Sequence, residues 1–259
     1  MHSISVVTRS VYHSRMYSVR PATSLVNNNQ GGLAKETLYR SQIRTYNASM
    51  QSESAKKEFV GACHKVAGYG LVSCSSGNLS WQIEPDTVLL SASGSWLAEL
   101  TVGQVAACEI ESGQCLNGKV PTCESVYHLG ILKNRPEVNV VLHFQSPYAT
   151  AIACGETDGI NFNMTIEVPV YIGTPAIVPY LPPGSDELAR AVIDVFKDSE
   201  THLAILKNHG LISVGKDFND AIQKAVFFEM ACRIILTDPN AKPLDDDAVK
   251  RLHKVGAKA

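Results

Sequence analysis

Residues Pro121–Gln145, PTCESVYHLGILKNRPEVNVVLHFQ, form the stretch on which the fold turns. Glu124 stands at the head of a helix-like run, and Val138–Leu142 is an apolar, strand-like run that delivers His143 and Gln145 at its end. Two residues apart on a strand, those two side chains point to the same side. A carboxylate at a helix N-terminus is stabilised as an anion by the helix dipole, so Glu124 can serve as a general base, a transient metal ligand or simply a cap. A carboxylate and an imidazole on the ends of neighbouring elements often make a small metal site. On spacing alone, His143 equally fits a histidine hydrogen-bonded at a strand end.

Working outward, the segment before this stretch reads as an amphipathic helix followed by short strands. Phe59, Ala62, Cys63 and Val66 recur three and four apart within Ser52–Val66, and Gly68 and Gly70 end the run. Leu79–Ile83 and Val88–Ser91 are strand-like pieces separated by the turn signal Glu84-Pro85-Asp86. Gln104–Ile110 is a further strand candidate, with Ser112-Gly113-Gln114 as a hairpin turn. On the other side, Pro147 starts a short helix over Ala149–Ala153. Ile160–Pro183 reads as loops with short strands, Leu188–Phe196 as a helix, and His202–Leu206 and Leu211–Val214 as strands around the turn Asn208-His209-Gly210. Phe218 begins a long helix to about Leu236, ended by Asp238-Pro239. The hairpin-like neighbours and scarcity of βαβ units predict a single α/β domain over 50–259, with a central, mixed, mainly antiparallel sheet flanked by helices.

Composition bounds the function. The 259 residues are 45% hydrophobic and 19% charged, with a formal net charge of -2. Neither nucleic acid nor an acidic membrane surface is expected as a partner, and no apolar run approaches the ~20 residues of a membrane helix. The seven cysteines are scattered and odd in number, with no Cys-x-x-Cys, which predicts free thiols in a reducing compartment. Residues 1–49 stand apart: they carry arginines and serines, and the first acidic residue is Glu36. They read as a disordered extension, as translated sequence upstream of Met50, or as an organelle-targeting segment. The expected location is cytoplasmic, or organellar under the last alternative.

His209, presented at a tight turn, adds a second imidazole to His143. Zinc prefers nitrogen and sulfur donors, usually three from the protein in a catalytic site. The neutral amide oxygen of Gln145 binds zinc less tightly than an imidazole and favours harder cations. Ser76-Gly77-Asn78, Ser93-Gly94-Ser95 and Thr122-Cys123 are three polar patches whose backbone N–H groups and hydroxyls suit an oxyanion, although Ser-Gly pairs are also ordinary turns. His128, one helical turn after Glu124, reads as structural.

Taken as an ordered set, these residues resemble the class II aldolase/adducin family of zinc-dependent sugar-phosphate aldolases and epimerases. The likeness rests on Ser76-Gly77-Asn78-Leu79-Ser80, Ser93-Gly94, Glu124 with His128, His143, and Leu206-Lys-Asn-His-Gly210 before a long helix containing Glu229, and it spans about Glu58 to Ile235. The resemblance implies a homotetramer with active sites near subunit boundaries and a small-molecule substrate. It implies a substrate-phosphate pocket lined by Ser76, Gly77, Asn78, Ser93, Gly94, Thr122 and Cys123. It further implies a divalent metal, zinc, on His143, Gln145 and His209, acid/base catalysis by Glu124, and Tyr180 reaching a neighbouring subunit's site. Two positions depart from the family pattern: Gln145 replaces the second histidine of His-x-His, and Cys123 replaces a hydroxyl residue. Three activities follow as alternatives: an aldolase-type lyase, a metal-dependent decarboxylase or dehydratase, and a non-catalytic adducin-like scaffold.

Overall fold

The structure, a computed structural model, describes residues 52–256. The N-terminal extension 1–49 lies outside the described residues. A helix, α1, covers 52–68. Seven strands form one sheet: β1 Asn78–Glu84, β2 Thr87–Ser91, β3 Val105–Glu109, β4 Val140–Phe144, β5 Ala176–Val178, β6 Leu203–Leu206 and β7 Gly210–Gly215. Helices α2 Ser125–Asn134, α3 Pro147–Cys154, α4 Asp186–Val195, α5 Phe218–Thr237 and α6 Asp246–Gly256 complete the regular structure.

The strand order is β3-β2-β1-β4-β7-β6-β5. Tight turns make antiparallel hairpins of β1–β2 and β6–β7, and β4 closes the sheet by pairing antiparallel with both β1 and β7. Among the described residues β5–β6 is the parallel pair, so the sheet is mixed and mainly antiparallel, as its pattern predicts.

Helices cover both faces, and the strand alternation sorts side chains between them. From β4, Val140, Leu142 and Phe144 join a core with Phe59, Val66, Ile152 and Phe228, beneath α1, α3 and α5. Val141 faces the opposite core with Tyr127, Ile131, Val192 and Phe196, beneath α2 and α4. With both faces buried, β4 is apolar almost throughout, which is why its sequence shows a run rather than an alternation.

Two polar contacts fix the elements around the central stretch. Arg135, just past α2, donates to the carbonyls of Phe196 at 3.1 Å, Asp198 at 2.9 Å, Ser199 at 2.8 Å and Thr201 at 3.1 Å, tying α2 to the segment entering β6. Glu229 of α5 accepts from Ser146 Oγ at 2.7 Å and from the backbone N–H groups of Tyr148 at 3.0 Å and Ala149 at 2.7 Å. A carboxylate from another helix thus caps α3, whose own N-cap residue, Ser146, makes no side-chain cap bond.

Two elements differ from the sequence reading. Within Ile160–Pro183, read as loops with short strands, β5 is such a strand, but Val168–Ile172 forms a π-helical turn. The helix α6 was not expected, because its half-buried apolar residues are few (Ala248, Val249 and Leu252). It is held by packing against that turn rather than by propensity.

Candidate active site

The sheet order brings the distant polar segments together. Asn78 opens β1 directly opposite His143 in β4, and His143 lies opposite Ile212 in β7. The turn between β6 and β7 therefore ends beside His143, and it carries His209. The left-handed residue in that turn is Asn208, at φ 54, a conformation asparagine tolerates. Gly210 matters for the space it leaves. A Cβ there would lie 2.7 Å from both Gln145 Cγ and Phe144 O, and 3.0 Å from His143 Cε1, so its bare Cα permits close packing.

Glu124 sits at the N-cap position of α2, yet its side chain makes no capping bond, which removes the simple capping role. Instead its Oε2 accepts from Asn78 Nδ2 at 2.7 Å and lies 3.7 Å from His143 Nε2. Its Oε1 lies 3.4 Å from His209 Nε2. The two imidazoles meet edge to face, with ring centroids 4.8 Å apart. His143 Nδ1 is 3.0 Å from the Leu211 carbonyl, which can only accept. That nitrogen therefore carries a proton, and Nε2 is the ring nitrogen turned toward Glu124.

One donor atom from each of Glu124, His143 and His209 lies within 4.8 Å of the others. Glu124 Oε1 and His209 Nδ1 are both buried without a hydrogen-bond partner. Unpartnered buried polar atoms are costly, and together with His143 Nε2 this donor set fits a divalent cation.

Burial alone would raise the pKa of Glu124. The His143 imidazole, the Asn78 hydrogen bond and the His209 imidazole outweigh it and hold the carboxyl at about 2. Burial, reinforced by the His143 imidazole, lowers His209 to about 4 against the pull of Glu124. Burial likewise lowers His128 to about 3. The site therefore presents a carboxylate to neutral imidazoles at His128 and His209 at neutral pH.

A stability prediction follows. His128 ordinarily titrates near 6.5, so between about 6.5 and about 3 the unfolded chain binds a proton that the folded chain refuses. Its contribution is fully present above that window and is lost as pH falls, by up to about 1.4 kcal/mol per pH unit. His209 acts in the same direction. Urea melts at pH 7.5 and pH 5 should show the lower midpoint at pH 5, and an equal or higher midpoint there would contradict the assignment.

All three polar patches border one cavity of about 400 Å³. Ser76, Gly77, Asn78, Ser93, Gly94, Thr122 and Cys123 line it together with Glu124, His143, Gln145 and His209. Tyr180 lies outside this lining and is 59% exposed. Sequence reasoning missed Ser73, Cys74, Ser75, Ala92 and Pro183, which also line the cavity. It also gave no role to Ser80, which hydrogen-bonds His128 at 2.7 Å. Period-two spacing from Asn78 was the available signal for Ser80.

Comparison with known proteins bears on this geometry. The family profile described as Class II Aldolase and Adducin N-terminal domain matches residues 57–236. The chain is similar to a 3-oxo-tetronate 4-phosphate decarboxylase of Haemophilus influenzae, 32% identical over 188 residues, covering 70% of this chain and 87% of the relative. It is also similar to an L-fuculose phosphate aldolase of Methanococcus maripaludis, 34% identical over 171 residues, covering 66% of this chain and 90% of the relative. Among solved structures, YgbL from Escherichia coli superposes with a TM-score of 0.70 at 23% identity, over 78% of this chain and 99% of that one. At that identity the likeness speaks for the fold alone.

Proposed function

This chain belongs to the class II aldolase and adducin family, and on that premise we propose that it is a divalent-metal-dependent lyase. In this reading it breaks a carbon–carbon bond beside the ketone of a small phosphorylated hydroxy-carbonyl compound. The observation that carries this is the convergence of Glu124, His143 and His209 in one polar cavity. Two buried donor atoms without a hydrogen-bond partner, Glu124 Oε1 and His209 Nδ1, are costly to maintain without a ligand, which counts against a purely scaffolding role.

The two relatives' names describe one electron flow. Cleaving a ketose phosphate by retro-aldol reaction, and removing CO₂ from a 3-oxo acid, both leave the electron pair of the broken bond on a carbon next to the ketone, as an enolate or enediolate. A divalent cation held by His143, His209 and Gln145, with Glu124 as a transient further donor, would supply Lewis-acid stabilisation of that negative charge when bound. Glu124 holds or returns the proton at the carbon that gains it. Backbone N–H groups at Gly77 and Gly94, with the hydroxyls of Ser76, Ser93 and Thr122, orient the phosphate.

The two reactions differ at the leaving side. Retro-aldol cleavage needs a base to take the proton of the hydroxyl that becomes an aldehyde, whereas decarboxylation does not. Glu124 is the carboxylate among the cavity-lining residues. The second base would be the exposed Tyr180 of a neighbouring copy in a homotetramer. Tyr180→Phe is then expected to slow retro-aldol turnover about 10²-fold while changing decarboxylation about twofold or less. Equal loss in both assays would contradict this division of labour.

The direct test is metal analysis with turnover of L-fuculose 1-phosphate and 3-oxo-tetronate 4-phosphate. We expect about one equivalent of divalent metal per chain, with activity lost to a chelator and restored by metal; less than about a tenth of an equivalent, with none taken up on addition, would overturn the proposal. Gln145→His should raise zinc affinity at least about tenfold, about 1.4 kcal/mol. Unchanged affinity by competition with a chromogenic chelator would exclude position 145 as a ligand.

A further inference from the structure

Behind Glu124 lies a chain of buried polar groups that the proposed reaction does not itself use. Ser80 and His128 are fully buried, and neither borders the cavity. Ser80 Oγ lies 2.7 Å from His128 Nδ1, His128 Nε2 lies 2.5 Å from Asn78 Oδ1, and Asn78 Nδ2 lies 2.7 Å from Glu124 Oε2. The direction of each bond is determined from the carboxylate end. An ionised Glu124 can only accept, so the group of Asn78 facing it is the NH₂. The opposite group of Asn78 is then the carbonyl oxygen, which obliges His128 Nε2 to donate. His128 Nδ1 is consequently bare and accepts from the Ser80 hydroxyl. Every link is satisfied by one tautomer and one amide orientation.

We propose that Ser80, His128 and Asn78 form a positioning relay that locks the Glu124 carboxylate in a single orientation, with Oε2 engaged and Oε1 as its unengaged oxygen. His128 and Ser80 are positioning residues that act through Asn78. The elements hold the relay rigidly. Asn78 and Ser80 share one face of β1, and His128 follows Glu124 by one turn of α2. Tyr127 stacks on the His128 ring, with centroids 4.8 Å apart and planes at 20°. A carboxylate fixed in this way is pre-organised for one trajectory of proton transfer, because no side-chain reorientation precedes the step.

The hydrogen-bond pattern stands independently of the reaction, whereas its kinetic consequence rests on the function proposed above. The first test therefore uses the full-length chain labelled with ¹⁵N-histidine, assigned with a His128→Gln sample. The expected spectrum shows His128 with a protonated Nε2 and a bare Nδ1 at pH 7. A protonated Nδ1 with a bare Nε2, or a doubly protonated ring, would overturn the relay. The second test compares His128→Asn, which removes the donor to Asn78, with His128→Gln, which keeps a donor near the Nε2 position. His128→Asn should lower kcat about 10- to 100-fold with KM and bound metal within about twofold, and His128→Gln should recover most of that loss. Equal loss in both variants, or unchanged kcat in His128→Asn, would overturn the positioning role. Should the unaltered chain turn over neither substrate, the proposed function fails while the tautomer measurement still decides the relay.

Discussion

Glu124→Gln is expected to lower kcat by about 10³-fold, some 4 kcal/mol of transition-state stabilisation. The substitution is close to isosteric. The amide oxygen of Gln can still accept from Asn78 Nδ2, so the link that Glu124 Oε2 makes at 2.7 Å survives. What disappears is the group that exchanges a proton with the substrate carbon, because an amide neither holds a proton as an acid nor takes one as a base near neutral pH. The negative charge facing His143 and His209 disappears as well, so cation affinity should also fall. Metal content measured beside kcat separates the two losses. With saturating metal the deficit in kcat should persist, and kcat within tenfold of the unaltered chain would remove Glu124 from the proton-transfer step. Glu124→Asp provides the complementary case. It keeps the charge but withdraws the carboxylate by one carbon, about 1.5 Å, which breaks the bond to Asn78. If orientation matters as the relay implies, Asp should recover metal binding far better than turnover.

The legibility of this protein divides by range. Local signals were sufficient for β1 and β2 around Glu84-Pro85-Asp86 and for the apolar periodicity of α4 and α5; in the structure those helices start behind Ser185, whose side chain accepts from Leu188 N at 3.1 Å, and Asp217, whose side chain accepts from Asp220 N. The same signals marked Glu124, His143 and His209 as groups worth weighing. None of them carries the placement of β4 between β1 and β7, which joins residues 59 to 75 positions apart and sets the three groups side by side. Pairing at that range is decided by which apolar faces can be buried together, and a run buried on both faces, like β4, shows no alternation to read. Asn78 shows the same limit. It was read as part of a substrate pocket, and it does border the cavity, but its amide also bridges His128 and Glu124. A polar residue beside a glycine carries no local sign of which partner the sheet will bring to it. Tyr180 was assigned to a site on a neighbouring copy. On the single chain Tyr180 is exposed, and no local sequence signal says what it meets.

Gly77→Ala is expected to destabilise the protein more than an ordinary glycine substitution, and to damage the site in the same stroke. Gly77 adopts φ +72, which costs a residue with a Cβ about 1–2 kcal/mol. A Cβ would also lie 2.5 Å from Val72 Cγ1 and 2.7 Å from the backbone oxygen of His143. The second atom cannot rotate away, since His143 is held in β4 between β1 and β7. Overpacking of this kind adds about 1–3 kcal/mol, so the total is about 2–5 kcal/mol, or a fall in Tm of about 4–20 °C for a domain of this size. Gly94→Ala supplies the control. Gly94 has nearly the same backbone, φ +70, but its Cβ would meet nothing within 4 Å, so only the conformational cost applies. The difference between the two melting temperatures isolates the contact with His143. Because relief of that contact requires β1 to move away from β4, it displaces Asn78 from Glu124 and His143 from His209 together. Gly77→Ala should therefore lose metal binding at temperatures where it remains folded, whereas Gly94→Ala should retain it. Equal melting temperatures for the two variants, with metal binding intact in both, would show that the approach of β1 to His143 does not hold the site together.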